Sequence, residues 1–195
     1  MDVQRNFTFG PDQFKRESLP DRTIFDEYGI GHSKGSAAAF HMTRMHHPLK
    51  GADLNEILDY PYPIVPEYEL AKITQKVYEF RSKGLASFAF MQMTVWEASW
   101  YLRSMEKLMI DMMMQDEKAG ALLDPITRFA VSKAETYAKA GVDILSVGDD
   151  IRTQELLPFG TKKQVFETTL SRLNKCGEKG GIVIDPTHMV EPEVP

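Results

Sequence analysis

Cysteine is almost missing from this sequence: Cys176 is the only one in 195 residues. A lone thiol excludes an internal disulfide framework and a multi-cysteine zinc site. It suits a reducing compartment, so a cytoplasmic location is expected. Positive charge is not in surplus either. Lys and Arg number 23 against 28 Asp and Glu, a net charge of −5. Phosphate backbones and anionic lipid surfaces attract basic faces, so neither nucleic acid nor a membrane is expected as a partner. No apolar run is long enough to cross a bilayer. The longest begins at Leu85 and is broken by Gln92 and then Glu97. The opening MDVQRNFTFG has neither the basic start nor the apolar centre of a secretory leader. Internal repeats and low-complexity tracts are absent from the sequence.

What is present is ordinary globular material, 43% hydrophobic and 26% charged, enough to bury one core. Residues 1–65 show little periodicity and read as an irregular segment packed on the rest, with a short helix near Leu54–Leu58. Its aromatic residues Phe7, Phe9, Phe14, Phe25, Tyr28 and Phe40 need something to pack against. Residues 66–195 read as a β/α domain. Leu70, Ile73, Val77 and Phe80 fit one helical face, with Gly84 as the stop. LASFAFMQMTV then reads as a buried strand. A helix is expected from about Val95 to Gln115, with Trp96, Trp100, Met105, Leu108, Met109 and Met112 near one stripe. That stripe reads as core contact with methionine as gap filler, or as an adaptable ligand surface. The next helix, roughly Glu117–Ala140, is expected to break at Pro125 and to end at Gly141, before a strand Val142–Val147. Thr161 and Gln164 form a capping-box pattern for a last helix with Val165, Phe166, Leu170 and Leu173 on its apolar face. GGIVID is a further strand. Such alternation implies parallel strands joined by helical crossovers. Open doubly wound sheets and (β/α)₈ barrels both fit, and both place ligands at the C-terminal strand ends.

Those ends collect the chemistry-bearing residues. One carries Gln92, Thr94, Trp96 and Glu97, the second Asp149 and Asp150, and the third Asp185, Thr187 and His188. Neighbouring carboxylates push each other's pKa values apart, which suits acid–base work. We take Asp149, Asp150 and His188 as candidate catalytic residues, and Gln92, Trp96, Glu97 and Thr187 as substrate-binding candidates. Plainer roles exist for each. Either aspartate can cap a turn, Glu97 can be a first-turn acid favoured by the helix dipole, and His188 can be a loop histidine. The His46–His47 pair reads as surface rather than metal ligand, because ligation needs further converging donors. Cys176 reads as a small buried hydrophobe.

The segments HHPLKGADLNEILDYPYP, TVWEASWYLRSMEKLMIDMM, AGVDILSVGDDIRTQ, LPFGTKKQV and KGGIVIDPTHMVEPEVP, in this order, resemble the uroporphyrinogen decarboxylase superfamily, including its branch related to corrinoid methyltransferases. The resemblance implies a (β/α)₈ barrel with the site at its mouth. It implies decarboxylation of a tetrapyrrole-type acid without metal or organic cofactor, an aspartate facing the pyrrole N–H groups, and arginines holding propionates. Asp149 and Asp150 fall at the family's acidic strand end. Trp96 and Glu97 match its WE turn, and His188 its late histidine. YLRSME matches an lrGmE pattern with Ser104 where the family has glycine. Methyltransferase members bind zinc through His-x-Cys and a later Cys; no cysteine stands near His188, so zinc belongs here only to that alternative branch.

The departures are as informative. A (β/α)₈ barrel takes roughly 250 residues. In the family several βα units separate a GDDIGTQ segment from the ELLPFGT segment; here GDDIRTQ runs directly into ELLPFGT, with the join at Thr153–Gln154. The arginine-bearing N-terminal strand has no counterpart. We therefore expect a partial, incomplete TIM-type barrel, a truncated family member with little or no activity as a monomer, and self-association through open sheet edges. Two other readings stand beside it: a corrinoid-dependent methyltransferase-like enzyme completed by dimerisation, and a non-catalytic tetrapyrrole-binding module.

Overall fold

The computed structural model describes residues 19–20, 23–34 and 43–148, together with 161, 163, 164, 166, 167, 170, 171 and 174. The chain divides into two units, Met1–Val147 and Gly148–Pro195. In the first, the described elements are β1 (Ile24–Phe25), β2 (Gly31–Lys34), β3 (Thr43–His46), α1 (Leu54–Leu58), α2 (Glu67–Ser82), β4 (Phe88–Met91), α3 (Trp96–Arg103), α4 (Met105–Met113), α5 (Glu117–Ala140) and β5 (Ile144–Val147).

The segment expected to be irregular contains a three-stranded antiparallel sheet in the order β1-β2-β3. Its first turn is set by Asp26. One carboxylate oxygen accepts from the backbone N–H groups of Tyr28 (2.9 Å) and Ile30 (3.0 Å), and Gly29 takes φ 77°. Aspartate and glycine suit these places because one caps free N–H groups and the other tolerates the left-handed backbone. The short helix α1 lies where expected. It opens on a capping box in which Asp53 and Glu56 satisfy each other's backbone N–H.

α5 organises the unit. It is 24 residues long, about 36 Å at 1.5 Å per residue. Asp116 caps its start, and Gly141 ends it in the left-handed region with φ 77°. Leu122, Ile126 and Phe129 enter a core with Tyr28, Ile30, Leu49, Ile57, Ala98, Leu102 and Leu108. Ala130, Tyr137 and Ala140 enter a second core with Ile73 and Val77 of α2 and Ala89 and Met91 of β4. The expected break at Pro125 does not occur; the helix runs through it. Proline costs about 3 kcal/mol in a helix interior by removing one donor. Leu122 and Ile126, buried on either side of it, hold the backbone helical.

The helix expected over Val95–Gln115 is two helices. Ser104 has φ 72° and ψ 147°, so α3 ends and α4 begins there. The segment after β3 fixes that corner. The His47 ring nitrogen Nδ1 donates to the Tyr101 carbonyl (2.6 Å), and the Leu49 N–H to the Leu102 carbonyl (3.0 Å). Both acceptors are last-turn carbonyls of α3 that lack partners within the helix. In return the Arg103 guanidinium donates to the carbonyls of Leu49 (2.7 Å) and Ala52 (2.8 Å), and through Nε to Asp111 of α4 (2.8 Å). The Arg103 and Asp111 side chains are 5% and 9% exposed.

β4 and β5 pair in parallel, from Phe88 opposite Ile144 to Met91 opposite Val147. The parallel pairing agrees with the expected β/α character. The described residues form two parallel strands, and no closed barrel is seen among them. In the second unit, Thr161 and Gln164 make the expected capping box, each backbone N–H bonded to the other's side chain (2.8 and 3.2 Å). Phe166 and Leu170 of its helix are exposed rather than buried.

Two outcomes follow from the corner. Arg103→Ala leaves the Asp111 carboxylate and two carbonyls without their donor, and should cost about 3–5 kcal/mol in urea denaturation. Ser104→Gly should do the reverse. It relieves a backbone held where side chains cost roughly 1–3 kcal/mol, against a few tenths for the lost cap and up to about 1 kcal/mol of added chain entropy. A stability gain of about 1 kcal/mol in the same assay is expected.

Candidate functional site

The two parallel strands have distinct ends. Ser87 and Asp143 precede β4 and β5 at the N-terminal end and lock it. The Asp143 carboxylate accepts from the Ser87 hydroxyl (2.6 Å), the Ser87 N–H (2.8 Å) and Arg81 Nη2 (2.9 Å). These bonds, the Ser87 hydroxyl foremost, hold the Asp143 carboxyl well below the usual carboxylate range. Arg81 also donates to the Gly141 carbonyl (2.7 Å), tying α2 to the end of α5. This end has every partner it needs from the chain itself.

The C-terminal end is where the expected binding residues gather. Beyond Met91 the chain turns through exposed Gln92, through Met93 with φ 54°, and through buried Thr94 into α3. Trp96 and Glu97 open that helix, so Gln92, Trp96 and Glu97 belong to one strand-to-helix turn. Glu97 also fits its plainer role: it stands in the first turn of α3 and accepts from the Tyr101 hydroxyl (3.4 Å). Trp96 and Trp100, four residues apart, fall on one side of α3 and are half-buried against the first core. The Trp100 ring meets Tyr101 edge-on at 4.1 Å, and its indole N–H is buried without an acceptor. Asp149, Asp150, Thr187 and His188 lie outside the described residues, as do GGIVID, Cys176 and the Thr153–Gln154 join.

A second polar cluster has no counterpart in the expectations. On the antiparallel sheet, His46 Nε2 and the Ser33 hydroxyl are hydrogen-bonded at 2.8 Å, and His32 Nε2 meets the Asp26 carboxylate at 3.0 Å. Serine beside histidine suggests a nucleophile with its base. A triad also requires a carboxylate on that histidine. Here Asp26 serves His32 and the turn, so the arrangement binds strands together rather than activating Ser33. His46 and His47, read from the sequence as surface residues, are instead half-buried with separate partners, Ser33 and the Tyr101 carbonyl. Among the described residues no group of three or more His, Cys, Asp or Glu side chains could hold a metal ion. Period-two spacing is the one signal that could have exposed this sheet, and strands of two and four residues are too short to display it.

Comparison with protein-family models, with curated proteins and with solved structures returned no match for this chain. Among the described residues no helix is long and apolar enough to cross a membrane.

Burial, and after it Arg44, His47 and His32, lowers the His46 pKa from its ordinary 6.5. The unfolded chain therefore binds a proton more readily than the fold does. Its contribution to stability is complete above about pH 6.5 and declines as pH falls below that value toward the folded pKa. We expect the unfolding free energy of the wild type to drop between roughly pH 7 and 5, and His46→Gln to flatten that slope. Urea melts across this range measure both.

Proposed function

We propose that this chain is a uroporphyrinogen decarboxylase-like protein that presents the C-terminal end of β4 and β5 to a flat, acid-bearing tetrapyrrole. One observation carries the reading. The position at which the resemblance expects glycine, Ser104, has φ 72° and ψ 147°, a backbone conformation that glycine adopts readily and serine does not. The resemblance places glycine at this corner, and the backbone here takes a shape that suits glycine. Two of the resembling segments also bond to one another, HHPLKGADL through His47, Leu49 and Ala52, and YLRSME through Tyr101, Leu102 and Arg103.

Trp96 and Trp100 would supply the aromatic surface for the ring system, and Gln92 and Glu97 polar groups at its edge. Asp149, Asp150 and His188 are the proposed acid–base residues, and Thr187 a further contact. A substrate rich in carboxylates needs cations as well. Arg81 is bound at the opposite end of the sheet, and Arg103 is buried in the corner below α3. Neither serves the strand-end face, which favours binding over turnover by a single copy. Completion by a second copy is the corresponding proposal for activity. β5 fits it: Ile144, Leu145 and Val147 are exposed, although parallel strands normally bury both faces.

Titration with a carboxylated porphyrin, followed by tryptophan fluorescence, tests the binding. The wild type should quench at micromolar ligand, and Trp96→Phe should bind roughly fivefold more weakly, the value of about 1 kcal/mol of aromatic contact. No quenching of the wild type at these concentrations would refute the reading. If a second copy completes the site, Asp150→Asn should abolish decarboxylation and leave quenching intact. Light scattering should then give a mass above that of one chain, reduced to one chain by Leu145→Lys. A strictly monomeric wild type that turned over substrate would contradict the self-association.

A further inference from the structure

Of the stripe read either as core contact or as an adaptable ligand surface, Leu108 is buried and the methionines of α4 are exposed. The side of α4 that faces the fold is occupied by Leu108 and Asp111. Met105, Met109 and Met112 are 41%, 42% and 44% exposed, and Met113 is 79% exposed. α3 ends and α4 begins at Ser104, so the methionine face belongs to α4 alone and is set by what that helix buries. Five of the chain's eleven methionines fall between Met105 and Met114.

Spacing brings three of them together. At 3.6 residues per turn, Met105, Met109 and Met112 lie within an arc of about 60° on the helix surface. Met105–Met109 is an i,i+4 pair and Met109–Met112 an i,i+3 pair, both neighbours with Cβ atoms about 5–6 Å apart. Met113 is i+4 from Met109. On an exposed face leucine would offer the same apolar surface and better-defined rotamers. What methionine adds is a polarizable thioether on a chain flexible enough to aim it. Thioethers are soft, neutral donors, and soft donors select soft ions, copper(I) above all among biological metals.

The surrounding charge suits a cation. Glu106 is exposed and three residues before Met109, at the margin of the stripe. Lys107 points to the far side of the helix by the same spacing. Arg103, the nearest arginine in sequence, is held inside by Asp111.

We propose that Met105, Met109 and Met112 form a thioether site for a soft monovalent cation, copper(I) in biology and silver(I) as its redox-stable probe. The site is separate from the strand-end face and does not depend on the function proposed for it. Hard divalent ions such as magnesium and calcium have no oxygen cage here and should not bind to the stripe.

Two measurements on the full chain test this. In the first, copper(I) held by a coloured chelator under anaerobic conditions is offered to the wild type and to Met105→Leu/Met109→Leu/Met112→Leu. The wild type should withdraw one equivalent. The leucine variant, similar in volume and checked by circular dichroism, should bind at least tenfold more weakly. In the second, silver(I) is added to wild-type protein carrying labelled methionine methyl groups, so no variant need fold. The Met105, Met109 and Met112 methyl signals should shift at one equivalent while that of buried Met91 stays in place. Failure of the wild type to take metal from the chelator would overturn the proposal. So would full affinity in the leucine variant, or loss of binding on Cys176→Ser alone.

Discussion

Ile126, Phe129 and Ala130 lie within little more than one turn of α5, and the two cores of the first unit meet there. Everything else described in that unit depends on this shared stripe. The antiparallel sheet reaches the first core through Tyr28 and Ile30, with the Tyr28 ring edge-on to Phe129 at 5.7 Å. α2 and β4 reach the second core through Ile73, Val77, Ala89 and Met91. Neither core closes without its half of the helix. The persistence of helical structure through Pro125 is intelligible in these terms. A donor lost at one position is outweighed by buried leucine and isoleucine three residues before and one residue after it.

The corner at Ser104 is the second constraint, and it connects fold to chemistry. The 47–52 segment supplies acceptors and donors that the end of α3 lacks, and Arg103 answers with a guanidinium shared among three partners. This fixes α3 from its C-terminal end. The Trp96 and Glu97 turn at its N-terminal end is consequently held by groups two helical turns away that touch no ligand. The same corner starts α4, whose Met105, Met109 and Met112 are exposed. One strained residue thus joins the helix of the strand-end face to the helix that carries the methionines.

How much of this could be read in the sequence depended on range. Signals carried by a few neighbouring residues were legible: the Ile73–Val77 spacing, the stops at Gly84 and Gly141, the box at Thr161 and Gln164, and the parallel strands within LASFAFMQMTV and Val142–Val147, the first of which is shorter than its apolar run and ends at Met91. The grouping of Gln92, Trp96 and Glu97 at one turn was legible for the same reason. Features decided by distant residues were not. Serine is an ordinary helix residue, and nothing local to Ser104 announces that His47 and Leu49 will claim the carbonyls before it. The antiparallel strands are short, and their polar residues His32, Ser33, Arg44 and His46 find meaning only across the sheet. The aspartates and the late histidine fall beyond the described residues, so the reading of the site rests on the one wall around α3.

The ion pair between Glu27 and Lys133 spans 106 positions of chain. Its length has a kinetic meaning. The helices and β4–β5 can assemble through contacts much nearer in sequence, whereas docking of the β1–β2 turn against α5 waits on closure of a very large loop. That turn is therefore expected to dock after them. Until it does, Phe129 lacks the ring that covers it, and the middle of α5 is wet.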